Sequence, residues 1–232
     1  MTINAFIFAR GGSKGLPRKN IKLLDGKPLI SYSINVAKSL NIFSNIFVST
    51  DCDEIASVSR EYGANVIMRP EDLATDSSPE WLSWRHAISY VASEYGKFDK
   101  FVSLPATSPL RNKQDINRAI KKLEESNSDI CISVTPASRS PYFNMVKLTN
   151  SGTCSIAIES ELDLYRRQDA PKLFDITTVV YATKVDFILN KKSIFDGNVV
   201  AIEVPKERAV DIDDIYDFIY AESLIKGLNY ES

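Results

Sequence analysis

Ala9-Arg10-Gly11-Gly12-Ser13-Lys14-Gly15-Leu16-Pro17-Arg18-Lys19-Asn20 follows the apolar run Ala5-Phe6-Ile7-Phe8 and precedes a helix-like segment that starts near Pro28. An apolar strand that ends in a glycine-rich loop and leads into a helix is the opening unit of an α/β domain. Three glycines let backbone N–H groups turn inward around an anion. Arg10, Lys14, Arg18 and Lys19 place four cations within ten residues, so a polyphosphate is the natural ligand. The loop lacks the Gly-Lys-Ser/Thr ending of the Walker phosphate loop, and it does not fit the G-x-G-x-x-G dinucleotide fingerprint. A basic surface loop is the plain alternative.

Outward from this loop, strand-like and helix-like segments alternate. Asn4 to Ala9 is the first strand, and Leu29 to Leu40 a helix with Pro28 in its first turn. Asn45 to Thr50 is an apolar strand ending at Asp51. Asp53 to Tyr62 has helical spacing and is ended by Gly63. Asn65 to Met68, Lys100 to Leu104 and Asp129 to Val134 read as strands; Glu80 to Tyr95 and Lys113 to Ser126 read as helices. This rhythm predicts an α/β fold, a three-layer α/β/α Rossmann-like domain with a mostly parallel sheet. Ligands bind such sheets beyond the carboxyl ends of the strands. The opening loop, the Thr50-Asp51 end and the loop at Pro105 all leave from such ends.

The rhythm breaks after Val134. Pro136 to Pro171 contains Pro141, Gly152 and short alternating pieces such as Met145-Val146-Lys147-Leu148. It reads as a hairpin-like excursion, which divides the chain into a main domain of 1–135 and 172–232 and an inserted element of 136–171. Alternation resumes with Thr177 to Thr183, Val185 to Leu189 and Asn198 to Val204, and a final helix runs from Asp214 to about Lys226.

The 232 residues suit one sizeable domain with a small appended element. A net charge of −2 argues against bulk nucleic-acid binding and makes the basic loop a local feature. Cys52, Cys131 and Cys154 are widely spaced and lack metal-ligand spacing, so they read as reduced thiols. The N-terminus does not read as a signal peptide, and no run is long enough to span a membrane. These features place the protein in the cytoplasm, with no membrane and no nucleic acid as partner. His86 is the one histidine, within core-type helical spacing, which excludes hydrolase triads.

Two further constellations carry chemistry. Asp211 and Asp213 are two residues apart, so in an extended segment they face one side. Two carboxylates beside a polyphosphate suit Mg²⁺, which often bridges carboxylate to substrate phosphate. The alternative is N-capping, because Asp213 and Asp214 sit where the last helix begins. Arg166 and Arg167, in Tyr165-Arg166-Arg167-Gln168-Asp169, suit a clamp on a carboxylate or phosphate, or equally a solvated turn.

The opening string A-R-G-G-S-K-G-L-P-R-K-N resembles the nucleotide-binding signature of the CMP-sialic acid synthetases (acylneuraminate cytidylyltransferases). The resemblance covers nearly the whole chain. Thr107-Ser108-Pro109-Leu110-Arg111 is similar to the family's turn at a strand end. Arg69-Pro70-Glu71-Asp72-Leu73-Ala74-Thr75-Asp76 is similar to its segment R-P-x-x-L-A-x-D, whose arginine approaches cytosine. Asp211 and Asp213 match a D-x-D assigned to metal, with Asp214 left as a cap. Among the adjacent arginines, Arg167 is favoured over Arg166 for the active site. Two departures fall on the sugar side: Pro105 stands where a sugar-contacting glutamine is usual, and Thr177-Thr178 where many relatives read N-G.

The resemblance implies a cytidylyltransferase that joins CTP to a nonulosonic, sialic-acid-like sugar and releases pyrophosphate. Arg10 and Lys19 would meet the triphosphate, with Gly11, Gly12, Ser13 and Lys14 cradling it. Asn20, Arg69 and Ser78 would hold cytosine and ribose, with Glu80 carried over weakly because serine is more usual there. The residues implied as catalytic are Arg10, Lys19, Arg167 and Asp211; Asp211 and Asp213 would hold Mg²⁺. The departures lean towards a legionaminic-acid-type sugar. A 3-deoxy-octulosonate enzyme and a non-catalytic CTP-binding module are the alternatives. The excursion is expected to mediate a homodimer and to lend residues to the neighbouring site.

Overall fold

The computed structural model describes residues 1–75, 77–159 and 166–230, with the side chains of Arg167 and residues 228–230 outside that description. Strand β1 (Ile3–Phe8) leads through the glycine-rich loop into a short ribbon, β2 (Leu23–Leu24) and β3 (Lys27–Pro28), and then α1 (Leu29–Lys38). Pro28 precedes the helix rather than lying in its first turn. Next come β4 (Asn45–Thr50), α2 (Asp53–Glu61), β5 (Asn65–Met68), α3 (Glu80–Glu94), β6 (Lys100–Ser103), α4 (Lys113–Glu125) and β7 (Ile130–Pro136). Gly63, at φ +87°, ends α2 as its sequence position requires. After the excursion follow β10 (Phe174–Lys184), α5 (Val185–Asn190), β11 (Val199–Glu203) and α6 (Ile215–Tyr230). The excursion itself contributes β8 (Val146–Leu148) and β9 (Cys154–Ile156).

Among the described residues, seven strands form one sheet in the order β11-β7-β10-β6-β1-β4-β5. All neighbours pair in parallel except β10, which is antiparallel to both β6 and β7. The exception has a simple cause. The chain leaves β7 at its carboxyl end and returns to the sheet at that same end, so β10 runs back beside β7. The first residues of β10, Phe174 to Ile176, are exposed and pair with Thr135, Pro136 and Val134 as a ribbon leading into the excursion.

Helices cover both faces of the sheet. Ile30 and Ile34 of α1, Ile55 of α2 and Ile116 of α4 share one core with Ile7 and Val48. The other face is aromatic: Phe6 stacks on Phe47 and Phe101 at centroid distances of 5.4 and 4.3 Å, and Trp84 of α3 packs on Phe101 at 5.1 Å. Such ring pairs are worth about 0.5–1.5 kcal/mol each beyond the area they bury. Helix α6 closes a smaller cluster in which Phe218 and Ala221 meet Leu16, Leu24 and Leu29. That cluster ties the C-terminal helix to the glycine-rich loop.

Strand order reverses between β1 and β6. The loops after these strands diverge and leave a crevice at the carboxyl edge of the sheet, the usual ligand position in this architecture.

Candidate active site

A cleft of about 520 Å³ occupies this crevice, lined among others by Arg10, Ser13, Lys14, Gly15, Lys19 and Asn20 from the opening loop. The loop is shaped by a few specific contacts. The Gly11 N–H donates to Asp51 Oδ1 at 3.0 Å, fastening the loop to the end of β4. The Asn20 side-chain amide donates to the Arg10 carbonyl at 3.0 Å and so ties the loop's two ends together. Arg18 takes φ 55°, a left-handed turn that starts the short helix Lys19–Ile21. At Gly15 a Cβ would lie 2.4 Å from the Asp213 carbonyl oxygen, so only glycine lets the last motif approach the first. At Gly12 a Cβ would meet nothing within 4 Å.

The Asp211–Asp213 segment reaches the cleft from the far end of the chain. Asp214 is the helix cap: its Oδ1 accepts from the N–H groups of Tyr216 and Asp217 at 2.7 and 3.1 Å. Asp217 answers by accepting from Asp213 N and Asp214 N at 2.9 and 3.1 Å. This reciprocal capping leaves the carboxylates of Asp211 and Asp213 outside the helix. Asp213 faces the cleft and accepts from Lys19 Nζ at 3.2 Å.

Asp211 lies deeper. Burial raises its carboxyl above the ordinary range, hydrogen bonding from Thr107 counters this, Asp213 adds to the rise, and Thr178 and Lys19 lower it again. Its Oδ1 is buried without a protein partner. Among the described residues no cluster of three or more His, Cys, Asp or Glu is poised to hold a metal. Two carboxylates with an orphaned oxygen do fit Mg²⁺, which keeps much of its coordination for water and substrate phosphate.

The opposite wall carries Arg69, Ser78 and Glu80. Arg69 forms no ion pair with Glu71 or Asp72. Its Nη2 donates to the Ser49 carbonyl at 2.8 Å and its Nη1 to Ser83 Oγ at 3.3 Å and the Leu73 carbonyl at 3.4 Å. The guanidinium also lies over the Phe8 ring, 5.8 Å from its centroid. Burial lowers its pKa. Glu80 is held by Trp84 Nε1 at 3.1 Å; the enclosing cleft raises its carboxyl, and the Trp84 bond and Arg69 counter the rise. His86 does not line the cleft.

The Arg167 side chain and Tyr165 lie outside the described residues, as does Asp76. Arg166 is exposed and pairs bidentately with Asp169 at 2.9 and 3.1 Å, the geometry of a solvated turn.

Several participants carried no assignment in the sequence reading. Thr107 lines the cleft, and the Ser108 and Thr178 hydroxyls meet at 2.7 Å beside Asp211. Thr178 sits in an irregularity of β10 between Thr177 and Tyr181. One side chain fills that irregularity: Ser133 Oγ accepts from Val180 N at 3.0 Å and from Thr177 Oγ1 at 2.9 Å, and lies 3.1 Å from the carbonyls of Thr177 and Val180. A threonine pair in place of N-G was the visible signal at this point.

A Rossmann-like α/β/α sheet, a basic glycine loop at its switch point and a D-x-D facing that loop define a nucleotidyltransferase. The chain belongs to the cytidylyltransferase family, whose model matches residues 5–218. It is 34% identical over 229 residues to the post-translational flagellin modification protein B of Campylobacter coli, spanning 97% of this chain and 96% of that protein. It is 36% identical over 225 residues to the CMP-N,N'-diacetyllegionaminic acid synthase of Campylobacter jejuni, spanning 96% and 94%. In fold it is similar to CMP:2-keto-3-deoxy-manno-octonic acid synthetase solved with CTP. The TM-score is 0.73 at 16% identity, over 98% of this chain and 100% of that one.

Proposed function

We propose that the protein activates a nonulosonic acid of the legionaminic-acid type, joining CMP to its anomeric hydroxyl and releasing pyrophosphate from CTP. The observation that carries this reading is the convergence of Arg10, Lys14 and Lys19 of the opening loop and Asp213 of the last motif on one cleft, with Gly15 packed against Asp213. A relative named for diacetyllegionaminic acid supports the sugar class.

In this reading Arg10, Lys14 and Lys19 bind the triphosphate and withdraw charge from the departing pyrophosphate. Ser13 and the backbone that follows the Gly11 anchor cradle its oxygens. Arg69, Ser78 and Glu80 form the wall for cytosine, and Asn20 keeps the loop closed around ribose. Asp211 and Asp213 are the residues that would hold Mg²⁺, which when bound neutralises triphosphate charge and polarises the α-phosphate. Positioning does most of the remaining work, because in-line displacement needs the hydroxyl, phosphorus and leaving oxygen aligned.

The excursion supplies the homodimer contact, and Arg167 is proposed to enter the active site. Met145, Val146, Leu148, Phe174 and Ile176 are all exposed there, a patch that suits burial against a second copy. The three free cysteines suit a reducing cytoplasm. Among the described residues no helix is long and apolar enough to cross a membrane.

The deciding experiment follows pyrophosphate release from CTP and Mg²⁺ with a panel of nonulosonic acids and 3-deoxy-octulosonate, beside the Asp211→Ala variant. Release with a legionaminic-type acid, lost in the variant, is the expected result. Release with 3-deoxy-octulosonate alone would reassign the sugar. CTP binding without release from any acid would reduce the protein to a nucleotide-binding module.

A further inference from the structure

Arg111 ends the Thr107–Arg111 turn and is 5% exposed. Its Nε donates to the Val179 carbonyl at 2.6 Å and its Nη1 to Ser33 Oγ at 2.5 Å. Its Nη2 donates to the carbonyls of Pro105 and Thr178, the latter at 3.2 Å. These acceptors belong to three separate segments: α1, the loop after β6, and the irregularity in β10. Two of those segments meet where the Ser108 and Thr178 hydroxyls lie 2.7 Å apart, and Ile212, next to Asp211, donates its N–H to the Thr107 carbonyl at 2.9 Å.

The charges around Arg111 are ordered as well. Asp115, fully buried in the first turn of α4, is gripped by Arg208 through Nε and Nη2 at 3.0 and 2.9 Å. Arg111 feels both Asp115 and Asp211. Asp115 is already matched by Arg208, which stands three residues before Asp211 on the same segment. Signs therefore alternate through Asp211, Arg111, Asp115 and Arg208. A buried guanidinium is tolerated only with such matching.

We propose that Arg111 is the positioning residue for Asp211, clamping together the turn after β6 and the irregularity in β10 that flank that carboxylate. The inference rests on the reading of Asp211 as a divalent-cation ligand. It gives Arg111 and Thr178 a role in metal binding at one remove. It also explains why proline is acceptable at 105, where only the backbone carbonyl is used.

The test uses Mn²⁺ as a spin-active substitute for Mg²⁺, titrated into the protein with CTP and followed by electron paramagnetic resonance. Arg111→Met is expected to weaken Mn²⁺ binding by about 10–100-fold, the range for losing an outer-shell partner, while CTP affinity in EDTA changes by less than about twofold. Mg²⁺ half-saturation of turnover rises in parallel, with the KM for CTP at saturating Mg²⁺ unchanged. Arg111→Lys restores the charge without the four-acceptor fork and falls between. Thr178→Val keeps the clamp and removes one hydroxyl; it is expected to cost several-fold in Mn²⁺ affinity, and it decides the matter if Arg111→Met does not fold. Unchanged Mn²⁺ affinity in Thr178→Val, or equal losses of CTP and Mn²⁺ binding in a folded Arg111→Met, would overturn the proposal. Undiminished Mn²⁺ affinity in Asp211→Asn would remove the metal reading itself, and the positioning role with it.

Discussion

The Lys19 ammonium sits 3.2 Å from the Asp213 carboxylate, 194 residues further along the chain, and also donates to the Ile212 carbonyl. A residue read as a phosphate ligand and one read as a metal ligand are thus paired with each other. In the proposed function, binding of CTP with Mg²⁺ would exchange the partners, Lys19 turning to phosphate and Asp213 to the cation. Asp213 is 80% exposed at its side chain, so the pair is worth at most about 1 kcal/mol. Asp213→Asn is expected to strengthen CTP binding in EDTA by up to about fivefold, as that energy implies. Pyrophosphate release should fall by about 100-fold or more, because a metal ligand is lost. Calorimetry in EDTA beside a turnover assay checks both, and a fall in metal-free CTP affinity would contradict the exchange.

Gly15 and Gly12 separate geometry from composition within one loop. A Cβ at Gly15 would press on the Asp213 backbone at 2.4 Å, whereas one at Gly12 meets open space. Gly15→Ala is expected to cost about 2 kcal/mol, an overpacking penalty, and to lower Tm by roughly 6 °C. Gly12→Ala leaves Tm within about 1 °C. Equal thermal shifts in the two variants would show that the loop does not need the Gly15 contact.

Much of this arrangement was legible in the sequence because it follows from local periodicity. Asn45–Thr50 and Asn65–Met68 have the predicted bounds, since buried apolar runs flanked by polar residues mark their own ends. Asp214 was readable as the cap that it is. The antiparallel direction of β10 was not legible, because strand orientation depends on where a connection returns. Its first residues were missed for a related reason: Phe174 to Ile176 pair outside the core and show no burial pattern. Arg111 stands in a recognisable motif, but its burial under three segments is a tertiary fact that no spacing encodes.

Ser133 tests how far the irregularity in β10 depends on one hydroxyl. Ser133→Ala leaves the buried Val180 N–H without its 3.0 Å acceptor. An unpaired buried donor costs about 1–3 kcal/mol. Thr178 lies in the same irregularity, so turnover should fall together with Tm. Ser133→Thr restores the acceptor and is expected to recover part of both. Thermal melts and initial rates on the two variants read this out; an unchanged Tm in Ser133→Ala would mean that the strand repacks around the loss.

The excursion offers the last test. Its hairpin has little interior of its own: β8 is wholly exposed, and only Ile156 of β9 is partly covered. Isolated two-stranded hairpins are marginal in water, so this one needs a surface to pack against. Leu148, 73% exposed, and Val146, 59% exposed, are the apolar residues placed to meet that surface. A second copy of the chain is the expected partner, and Leu148→Asp puts a charge into the apolar contact. Sedimentation at micromolar concentration should move from dimer to monomer in the variant. If Arg167 of one copy serves the neighbouring site, turnover is lost with the dimer while CTP binding by the opening loop survives. A wild-type chain that sediments as a monomer, or a monomeric variant with full turnover, would detach the excursion from catalysis.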